Sequence, residues 1–425
     1  MASALFAPVQ PREFVTVGQL YGFLFSDALV RAAAARSESL IMPWGWNCYG
    51  LRREKVFDET RGSRPEISFR DFCAELRAGY QHFLDRFHLK LGPREISDDD
   101  AEVEQIVQDI TTRYHRARII RQERFNAAWC ETCERSIDIY GFVEYCPHCQ
   151  AQLVCKEDTG LFLTVEKNLV RARNQDVHWH PLGVGKRISD LVETMPSRTR
   201  ITATRHYGIR DRRTGLMLDP KYPLSLWPMV AEELGIPRPV ILVQGIRDLR
   251  KFAYAILAHA YRDRPDTFPI LRGYAHASIA EGTGSEDFDP REAALRLLRN
   301  WTPEVIRLGF WYTSFQRDVR VTRQLFDQSA RIMESLDTAR RFFRQKALRG
   351  RSGGSPMLAE IDEKLSRVRE LLGRGEFGHV WRQIRELLSR VIIARCIPKV
   401  KKNPLHPSSI NALLRRLDVI QSVFG

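Results

Sequence analysis

The segment Ile41–Leu51 constrains the fold of this chain more than any other stretch of its sequence. It reads Ile-Met-Pro-Trp-Gly-Trp-Asn-Cys-Tyr-Gly-Leu, an apolar strand entry that ends in a Gly-Trp turn and is followed by a Gly-Leu pair. A glycine at the end of an apolar strand lets the backbone approach a ligand closely. The pattern therefore predicts a strand that brings its end to a ligand at the carboxyl edge of a parallel sheet.

Strand-like and helix-like segments alternate along the first two thirds of the chain. Apolar residues at helical spacing predict helices over Phe69–Phe87 and Asp99–Glu123, and Phe14–Arg36 has the pattern of a strand and turn that enter a helix. The apolar run Val240–Gln244 is typical of a buried parallel strand. After Pro290 the pattern is almost wholly helical. We therefore predict an α/β fold with an insertion and an appended α-helical bundle.

Two Cys-x2-Cys pairs predict a metal site in the middle of the chain. The four cysteines are Cys130, Cys133, Cys146 and Cys149. Each pair lets two thiolates converge on one metal, which is the arrangement of a tetrahedral zinc ribbon or knuckle. Four thiolates leave no open coordination position, so we predict structural zinc. The alternatives are four reduced structural thiols, or a site in which Cys155 or His148 competes as a ligand.

The charge balance points to a polyanionic partner. The chain has 425 residues, with 66 Lys and Arg against 52 Asp and Glu, for a net charge of +14. Such an excess favours contacts with phosphates, so we predict RNA, although a basic surface can also serve solubility. Four basic clusters lie along the chain, at Arg113–Arg124, Arg198–Arg213, Arg340–Arg351 and Arg395–Lys402.

The start of the sequence carries no targeting signal that we recognise. Met-Ala-Ser-Ala-Leu-Phe-Ala-Pro lacks the basic segment and the long apolar segment of a secretory signal peptide. No apolar run approaches the ~18 residues that a membrane-spanning helix needs. We therefore expect a cytoplasmic protein with no membrane partner.

The Gly-Trp segment resembles Pro-Met-Gly-Trp-Asp-Ala-Phe-Gly-Leu, which lies in the amino-acid pocket of leucyl-tRNA synthetases, enzymes of class I. Weaker matches follow in the family's order. Asp27 and Arg31 fit an Asp-x3-Arg pattern, Arg124–Gln150 fits the cysteine-bearing insertion, and Gly245–Phe252 resembles the Gly-x-Asp-x-x-x-Phe-His segment of methionyl-type enzymes. The chain is thus similar to a degenerate class I synthetase. Only about thirty residues separate the cysteines from Trp179, too few for an editing domain.

This resemblance implies a domain organisation. Residues 1–110 would form the first half of a Rossmann-type catalytic domain, and residues 111–175 a zinc-binding connective insertion. Residues 176–290 would complete the catalytic domain, and residues 291–425 would form a helical, anticodon-binding-like domain that binds tRNA. The predicted tRNA contacts are Arg113, Arg116, Arg118, Arg121, Arg340, Arg341, Arg344, Lys399, Lys401 and Lys402.

Both ATP-binding motifs of the family depart from their pattern here. The His-x-Gly-His motif falls at Thr16–Gln19, where Gly18 is kept and both imidazoles are lost. The Lys-Met-Ser-Lys-Ser loop falls at Ile279–Thr283, where Ile279 and Gly282 replace the two lysines. Stabilising transition-state charge is worth roughly 3–4 kcal/mol for one well-placed donor. Losing four such groups implies negligible adenylation.

The resemblance also implies a set of pocket residues: Gly18, Gln19, Gly45, Trp46, Asn47, Tyr49, Gly245 and Asp248. Asn47 replaces a family Asp that pairs with the amino group of the amino acid, so the charge-assisted part of that bond is lost. Its presence reflects either drift in an unused pocket or retuning for a different amine. Trp46 and Tyr49 fit core packing equally well.

Three functions are compatible with these features. The first is transfer of the amino acid, leucine by resemblance, from charged tRNA to an amine of a small molecule or peptide without ATP, as in degenerate synthetases associated with bacterial natural-product pathways. It needs proximity and oxyanion donors, with His206 or His180 as a candidate base. The second is a non-catalytic tRNA-binding paralogue acting as a sensor or partner. The third is a divergent ATP-dependent amino-acid ligase.

Overall fold

The fold was analysed in a computed structural model. It describes residues 2–35, 39–89, 95–137, 144–146, 149–276, 279, 288–289, 291, 293–312, 320–347, 363–367, 370, 383 and 386. The strands are β1 Ala2–Phe6, β2 Leu40–Ile41, β3 Trp44–Trp46, β4 Glu95–Ser97, β5 Ile120–Cys130, β6 Arg135–Ile137, β7 Val154–Thr164, β8 His178–His180, β9 Arg198–Arg200, β10 Pro239–Gly245 and β11 Arg272–His276.

Helices account for most of the remaining described chain. They are α1 Val17–Ala35, α2 Leu51–Ser63, α3 Phe69–Asp85, α4 Ala101–Arg116, α5 Lys167–Asp176, α6 Gly183–Thr194, α7 Lys221–Ser225, α8 Trp227–Glu233, α9 Ala255–His259, α10 Leu295–Leu298, α11 Pro303–Tyr312 and α12 Arg323–Ala347. A π-helical turn at Arg250–Tyr254 leads directly into α9. Within the described residues, no helix is long and apolar enough to cross a membrane.

A five-stranded parallel sheet forms the centre of the fold, in the order β2-β1-β10-β11-β8. The strand β1 lies between β2 and β10, and the chain passes to opposite sides of β1 to reach these two neighbours. In an open α/β sheet, such a reversal opens a crevice at the carboxyl ends of the strands. A ligand crevice is therefore expected at the ends of β1 and β10.

The first strand is where our reading of the sequence was wrong. We placed a strand within Phe14–Arg36, but these residues form a loop and α1, whereas the strand is Ala2–Phe6. This strand is almost fully buried, with Ala4 and Leu5 at 0% exposure, and it pairs in parallel with β10. A five-residue strand buried on both faces shows no alternation of polar and apolar residues, so periodicity does not reveal it.

The predicted helix Asp99–Glu123 is shorter than we expected. It ends at Arg116, and Arg118 takes a left-handed conformation with φ of 57°. The chain then enters β5, which pairs antiparallel with β7 from Ile120↔Leu163 to Trp129↔Val154. Pairing with a distant strand overrides the local helical pattern here, because ladder hydrogen bonds and side-chain packing outweigh intrinsic propensity.

An antiparallel sheet in the order β6-β5-β7-β9 carries the cysteines. Its last strand, β9, belongs to the segment that we assigned to the second half of the catalytic domain. Between β7 and β8 the described chain contains only α5, so this stretch has no room for an additional domain.

The helical segment packs on α1 through α11. The Trp311 indole N–H donates to the Leu24 carbonyl of α1 at 3.2 Å, and Arg307 lies 3.4 Å from the Asp27 carboxylate. The helix α12 packs on α11, where Gly309 allows Phe326 to approach closely. The predicted loop Arg349–Pro356 lies outside the described residues.

Candidate active-site crevice and metal centre

The Gly-Trp segment forms β3, which pairs with β4 in a two-stranded parallel sheet of its own and is bridged to Val9, just after β1. The Val9 N–H donates to the Gly45 carbonyl at 2.8 Å, and the Asn47 N–H donates to the Val9 carbonyl at 3.0 Å. The Gly45 backbone also packs against the Trp227 indole. A Cβ added at position 45 would lie only 2.7 Å from the indole nitrogen. This contact with Trp227 therefore requires glycine at position 45.

Replacing Gly45 by alanine is expected to lower the free energy of unfolding by about 1–3 kcal/mol. Trp227 is only 1% exposed, so its indole has no free space into which it could move. Urea unfolding would measure the effect. Gly79→Ala on the exposed face of α3 is the control, because its Cβ meets nothing within 4 Å. Equal stabilities of the two variants would contradict the close approach.

The two aromatic residues that we predicted in the pocket, Trp46 and Tyr49, pack in the core. Trp46 is 0% exposed, and its indole N–H donates to Glu95 Oε2 at 2.8 Å. The Tyr49 ring stacks on Phe69 at 5.7 Å, and Phe69 stacks in turn on Tyr207 at 4.4 Å. These contacts favour a structural role for both residues, and ligand contact by either stays a prediction.

Asn47 is held by a buried carboxylate that sequence reasoning missed. Asp98 is fully buried and accepts from the Cys48 N–H at 2.6 Å, and burial raises its pKa well above the usual range. With its amide nitrogen turned toward these acceptors, Asn47 donates to Asp98 Oδ2 at 3.1 Å and to the Tyr49 carbonyl at 2.8 Å. The Asn47 amide nitrogen thus supports the loop, and its carbonyl oxygen is left to accept. Asp98 escaped notice because an acidic run before a helix resembles a cap.

The residues at the position of the first ATP motif bond to one another at the start of α1. Gln19 Oε1 accepts from the Thr16 N–H at 3.1 Å and from the Tyr80 hydroxyl at 2.8 Å, and Gln19 Nε2 donates to the Gln10 carbonyl at 3.2 Å. A neutral amide held in this way brings no positive charge to a triphosphate. Ile279 is buried at 3% exposure, and the rest of the second motif, residues 280–283, lies outside the described chain.

The end of β10 meets a histidine that the sequence did not single out. A Cβ on Gly245 would lie 3.0 Å from Asp248 Oδ2 and 3.4 Å from His276 Cε1. Burial raises the pKa of Asp248 above its ordinary value. His276 ends β11 and meets the Tyr21 ring edge to face at 5.5 Å. The strand Arg272–His276 reads Arg-Gly-Tyr-Ala-His, which has no apolar pattern that would have pointed to this residue.

The two histidines named as candidate bases lie in different parts of the fold. His180 ends β8 and stacks on Tyr274 of β11 at 5.1 Å, and burial, helped by the charge of Arg272, lowers its pKa. It therefore lies at the carboxyl edge of the sheet, two strands away from β10. His206 is exposed and follows β9 of the insertion sheet. The proton-transfer role of either residue stays a prediction.

The four cysteines form one cluster. Cys130 Sγ lies 3.4 Å from Cys149 Sγ, and Cys133 Sγ lies 3.9 Å from Cys146 Sγ. Tetrahedral zinc with Zn–S bonds of about 2.3 Å places its sulfurs about 3.8 Å apart, so the four thiols fit this ion. Cys155 is exposed and stands outside the cluster, and His148 lies beyond the described residues. The cluster can thus bind a metal ion.

A second group of possible ligands is already neutralised by an internal cation. Cys48, Cys73 and Asp99 lie close together and are buried. The Arg77 guanidinium donates to Cys48 Sγ at 3.4 Å and is bonded to the Asp99 carboxylate. This group has the character of a buried ion pair.

The predicted tRNA contacts differ in their surroundings. Arg113 pairs with Asp263 at 3.0 Å and lies 3.7 Å from Glu233, whereas Arg116, Arg118 and Arg121 are exposed. On α12, Arg341 is exposed, and the structure describes only the backbone of Arg340 and Arg344. The residues Lys399, Lys401 and Lys402 also fall outside the described chain.

No protein-family model matches this sequence, but individual proteins do. The chain is 27% identical over 147 residues to the valine–tRNA ligase of Methanosarcina barkeri, and 26% identical over 147 residues to that of Methanothermobacter thermautotrophicus. Each match covers 32% of this chain and only 17% of the relative's length. The sequence relationship is therefore partial.

The fold comparison covers the whole chain. The methionyl-tRNA synthetase of Mycobacterium tuberculosis bound to methionyl-adenylate superposes with a TM-score of 0.78 at 13% identity, covering 100% of this chain and 92% of the other. Its free form superposes with a TM-score of 0.70. The chain therefore shares its overall fold with these two structures. In fold and in its partial sequence match, this chain is a class I aminoacyl-tRNA synthetase-like protein.

Proposed function

We propose that the protein transfers an aminoacyl group, leucyl in our assignment, from charged tRNA to an amine of a small molecule or peptide without using ATP. The observation that carries this proposal is the neutral, hydrogen-bonded amide of Gln19, at the position that we assign to the first ATP motif. The Gln19 amide there is bonded to Thr16, Tyr80 and Gln10, and it supplies no charge to a triphosphate. Around this motif the close packing is kept, with Gly45 against Trp227 and Gly245 beside Asp248 and His276.

The chemistry of transfer suits a site that lacks phosphate-binding charges. The amine nitrogen attacks the ester carbonyl, an amide bond forms, and the ester C–O bond breaks. The departing ribose hydroxyl takes up the proton that the amine loses. Because the ester is already activated, the protein supplies proximity and a path for this proton. His180 and His276 both lie at the carboxyl edge of the sheet and are the residues that we assign to that path.

The remaining parts of the proposal concern tRNA binding, the metal ion and the domain organisation. The exposed arginines Arg116, Arg118 and Arg121, together with the basic helical region after residue 291, would bind tRNA phosphates. The cysteine cluster would hold structural zinc. We assign the four segments 1–110, 111–175, 176–290 and 291–425 as catalytic, insertion, catalytic and tRNA-binding units, in a protein that acts in the cytoplasm.

The test has two arms that use purified protein. One contains labelled leucine, tRNA and ATP, and the other contains pre-charged leucyl-tRNA with a set of primary amines and no ATP. We expect no pyrophosphate exchange in the first arm, and amine-dependent loss of the ester with formation of a leucyl amide in the second. Pyrophosphate exchange would favour the ATP-dependent ligase. Salt-sensitive tRNA binding with no turnover in either arm would favour the non-catalytic paralogue.

Histidine variants test the proton path in the second arm. Replacing His180 or His276 by phenylalanine is expected to slow transfer by about 10²-fold or more, the usual contribution of general acid–base catalysis. His178→Phe is the matched control, because His178 is exposed on the same strand β8 as His180. Equal rates for the His180, His276 and His178 variants would remove both candidates.

A further inference from the structure

A cavity of about 890 Å³ lies between the insertion sheet and the segments Asp219–Tyr222 and Arg250–His259. One wall is formed by β5, β7 and β9, and the other by Asp219–Tyr222 and Arg250–His259. None of the predicted crevice residues lines it. Its volume lies within the range of about 300–1,000 Å³ that is common for small-molecule sites.

Asp219 presents a buried hydrogen-bond acceptor at this cavity. Its side chain is 6% exposed, and its Oδ1 accepts from the Lys221 N–H at 2.8 Å. Oδ2 has no hydrogen-bond partner among the described residues, and the Lys221 ammonium lies 3.9 Å away, beyond bonding distance. A buried carboxylate oxygen without a donor is costly, so a ligand N–H at this point would be stabilised.

His259 presents a second buried acceptor, and its hydrogen bonds define the tautomer. Ser225 Oγ donates to the Tyr222 carbonyl at 2.6 Å, so its only proton is already used. His259 Nδ1 lies 3.0 Å from that oxygen and must therefore be the donor in this contact. Burial keeps the ring neutral by lowering the pKa of His259 to about 3. Nε2 thus carries a lone pair, and it has no partner within the described chain.

The charges around the cavity are mostly positive. Its lining includes five basic residues, Arg198, Arg200, Lys221, Arg250 and Lys251, against the two acidic residues Glu144 and Asp219. Arg200 already stacks over Phe125 at 4.8 Å, which keeps its guanidinium at the wall. Arg198 is already paired with Glu123 at 2.7 Å, but the other basic side chains still outnumber the two acidic ones. The remaining excess favours an anionic group on the ligand, in addition to the N–H donors that the two acceptors require.

We propose that this cavity binds a small molecule that carries both a primary amine and an anionic group, either a carboxylate or a phosphate. The ammonium donates to Asp219 Oδ2 and His259 Nε2, and the anionic group meets the basic side chains. This ligand site is separate from the crevice to which we assign the transfer reaction. The binding itself requires neither tRNA nor transfer.

Calorimetric titration of the purified chain, without tRNA or ATP, tests the proposal. The probes are phosphoethanolamine and β-alanine, with ethanolamine, ethyl phosphate and propionate as molecules that carry only one of the two groups. We expect at least one zwitterion to bind with a Kd of about 1 mM or tighter, and each single-group molecule to bind at least ten times more weakly. Comparison of the two zwitterions separates phosphate from carboxylate. The proposal is overturned if neither binds below about 10 mM, or if the single-group molecules bind equally well.

Variants place the binding in this cavity. Asp219→Asn keeps an acceptor for the Lys221 N–H and removes the charge, so zwitterion binding should weaken at least tenfold. Asp190→Asn on the exposed face of α6 is the control. Lys251→Ala, at an exposed lining residue, is a second variant that leaves the core untouched and should weaken binding severalfold. Unchanged affinity in both lining variants would exclude the site. Because binding is measured without charged tRNA, its success alongside failed transfer would separate the two proposals.

Discussion

Replacing Cys130 and Cys133 together by serine is expected to abolish metal binding and to unfold the insertion. The four sulfurs lie 3.4–3.9 Å apart in the two closest pairs, as tetrahedral zinc requires. The sulfur cluster joins the ends of β5 and β6 to the second cysteine pair, and Cys130 and Cys146 form a small core of their own. Zinc binding to such small units is worth roughly 10–16 kcal/mol, so its loss should exceed the local stability.

Metal content and limited proteolysis measure this result. The wild-type chain should carry one zinc ion and resist cleavage between β5 and β7, and the double variant should lose both properties. Cys155→Ser is the matched control, since Cys155 lies on β7 but is exposed and outside the cluster. Unchanged zinc content in the double variant would rule out the metal assignment.

Replacing Asp27 by asparagine should have the second-largest effect, a loss of about 3–5 kcal/mol in the free energy of unfolding. Asp27 is 0% exposed and lies between two buried guanidinium groups, with Arg31 Nε at 2.8 Å and Arg307 Nε at 3.4 Å from its Oδ2. Burial lowers the pKa of Arg307 to about 10, so this residue is still charged at neutral pH. Without the carboxylate, two buried positive charges repel each other across the contact between α1 and α11.

Urea unfolding at pH 7 would measure this loss. Asp58→Asn provides the control, because Asp58 is exposed on α2 and the same chemical change there should alter stability by no more than about 0.5 kcal/mol. Arg307→Met in the Asp27→Asn background should restore part of the stability, because it removes one of the two uncompensated charges. A stability equal to that of the Asp58 variant would show that the buried network does not hold the two helices together.

The cysteine cluster was predictable because its determinants are local. Two residues between cysteines form a tight turn in almost any context, and two such turns converge on one ion. The helix Phe69–Asp85 was predictable for a similar reason, since its apolar residues repeat at helical spacing and Ser68 caps its first turn. Such features need no knowledge of the rest of the chain.

The buried partners of the candidate site were not predictable in this way. Asp98 accepts a hydrogen bond from the N–H of Cys48, which lies 50 residues away in the sequence. Tyr80 donates to Gln19, which lies 61 residues away. The sequence around Asp98 does not show whether this carboxylate caps a helix at the surface or accepts hydrogen bonds in the core. His276 likewise becomes notable only when β11 is placed beside β10.

By itself, the sequence determined the α/β class and the four cysteines that cluster, because spacing and residue chemistry are properties of the chain alone. Only the tertiary structure decided that Ala2–Phe6 is a central strand, that Arg121 lies on a strand, and that Asp219 and His259 share one cavity. Burial and long-range pairing depend on which distant segments come into contact, and a local sequence pattern does not specify the segment with which it will pair.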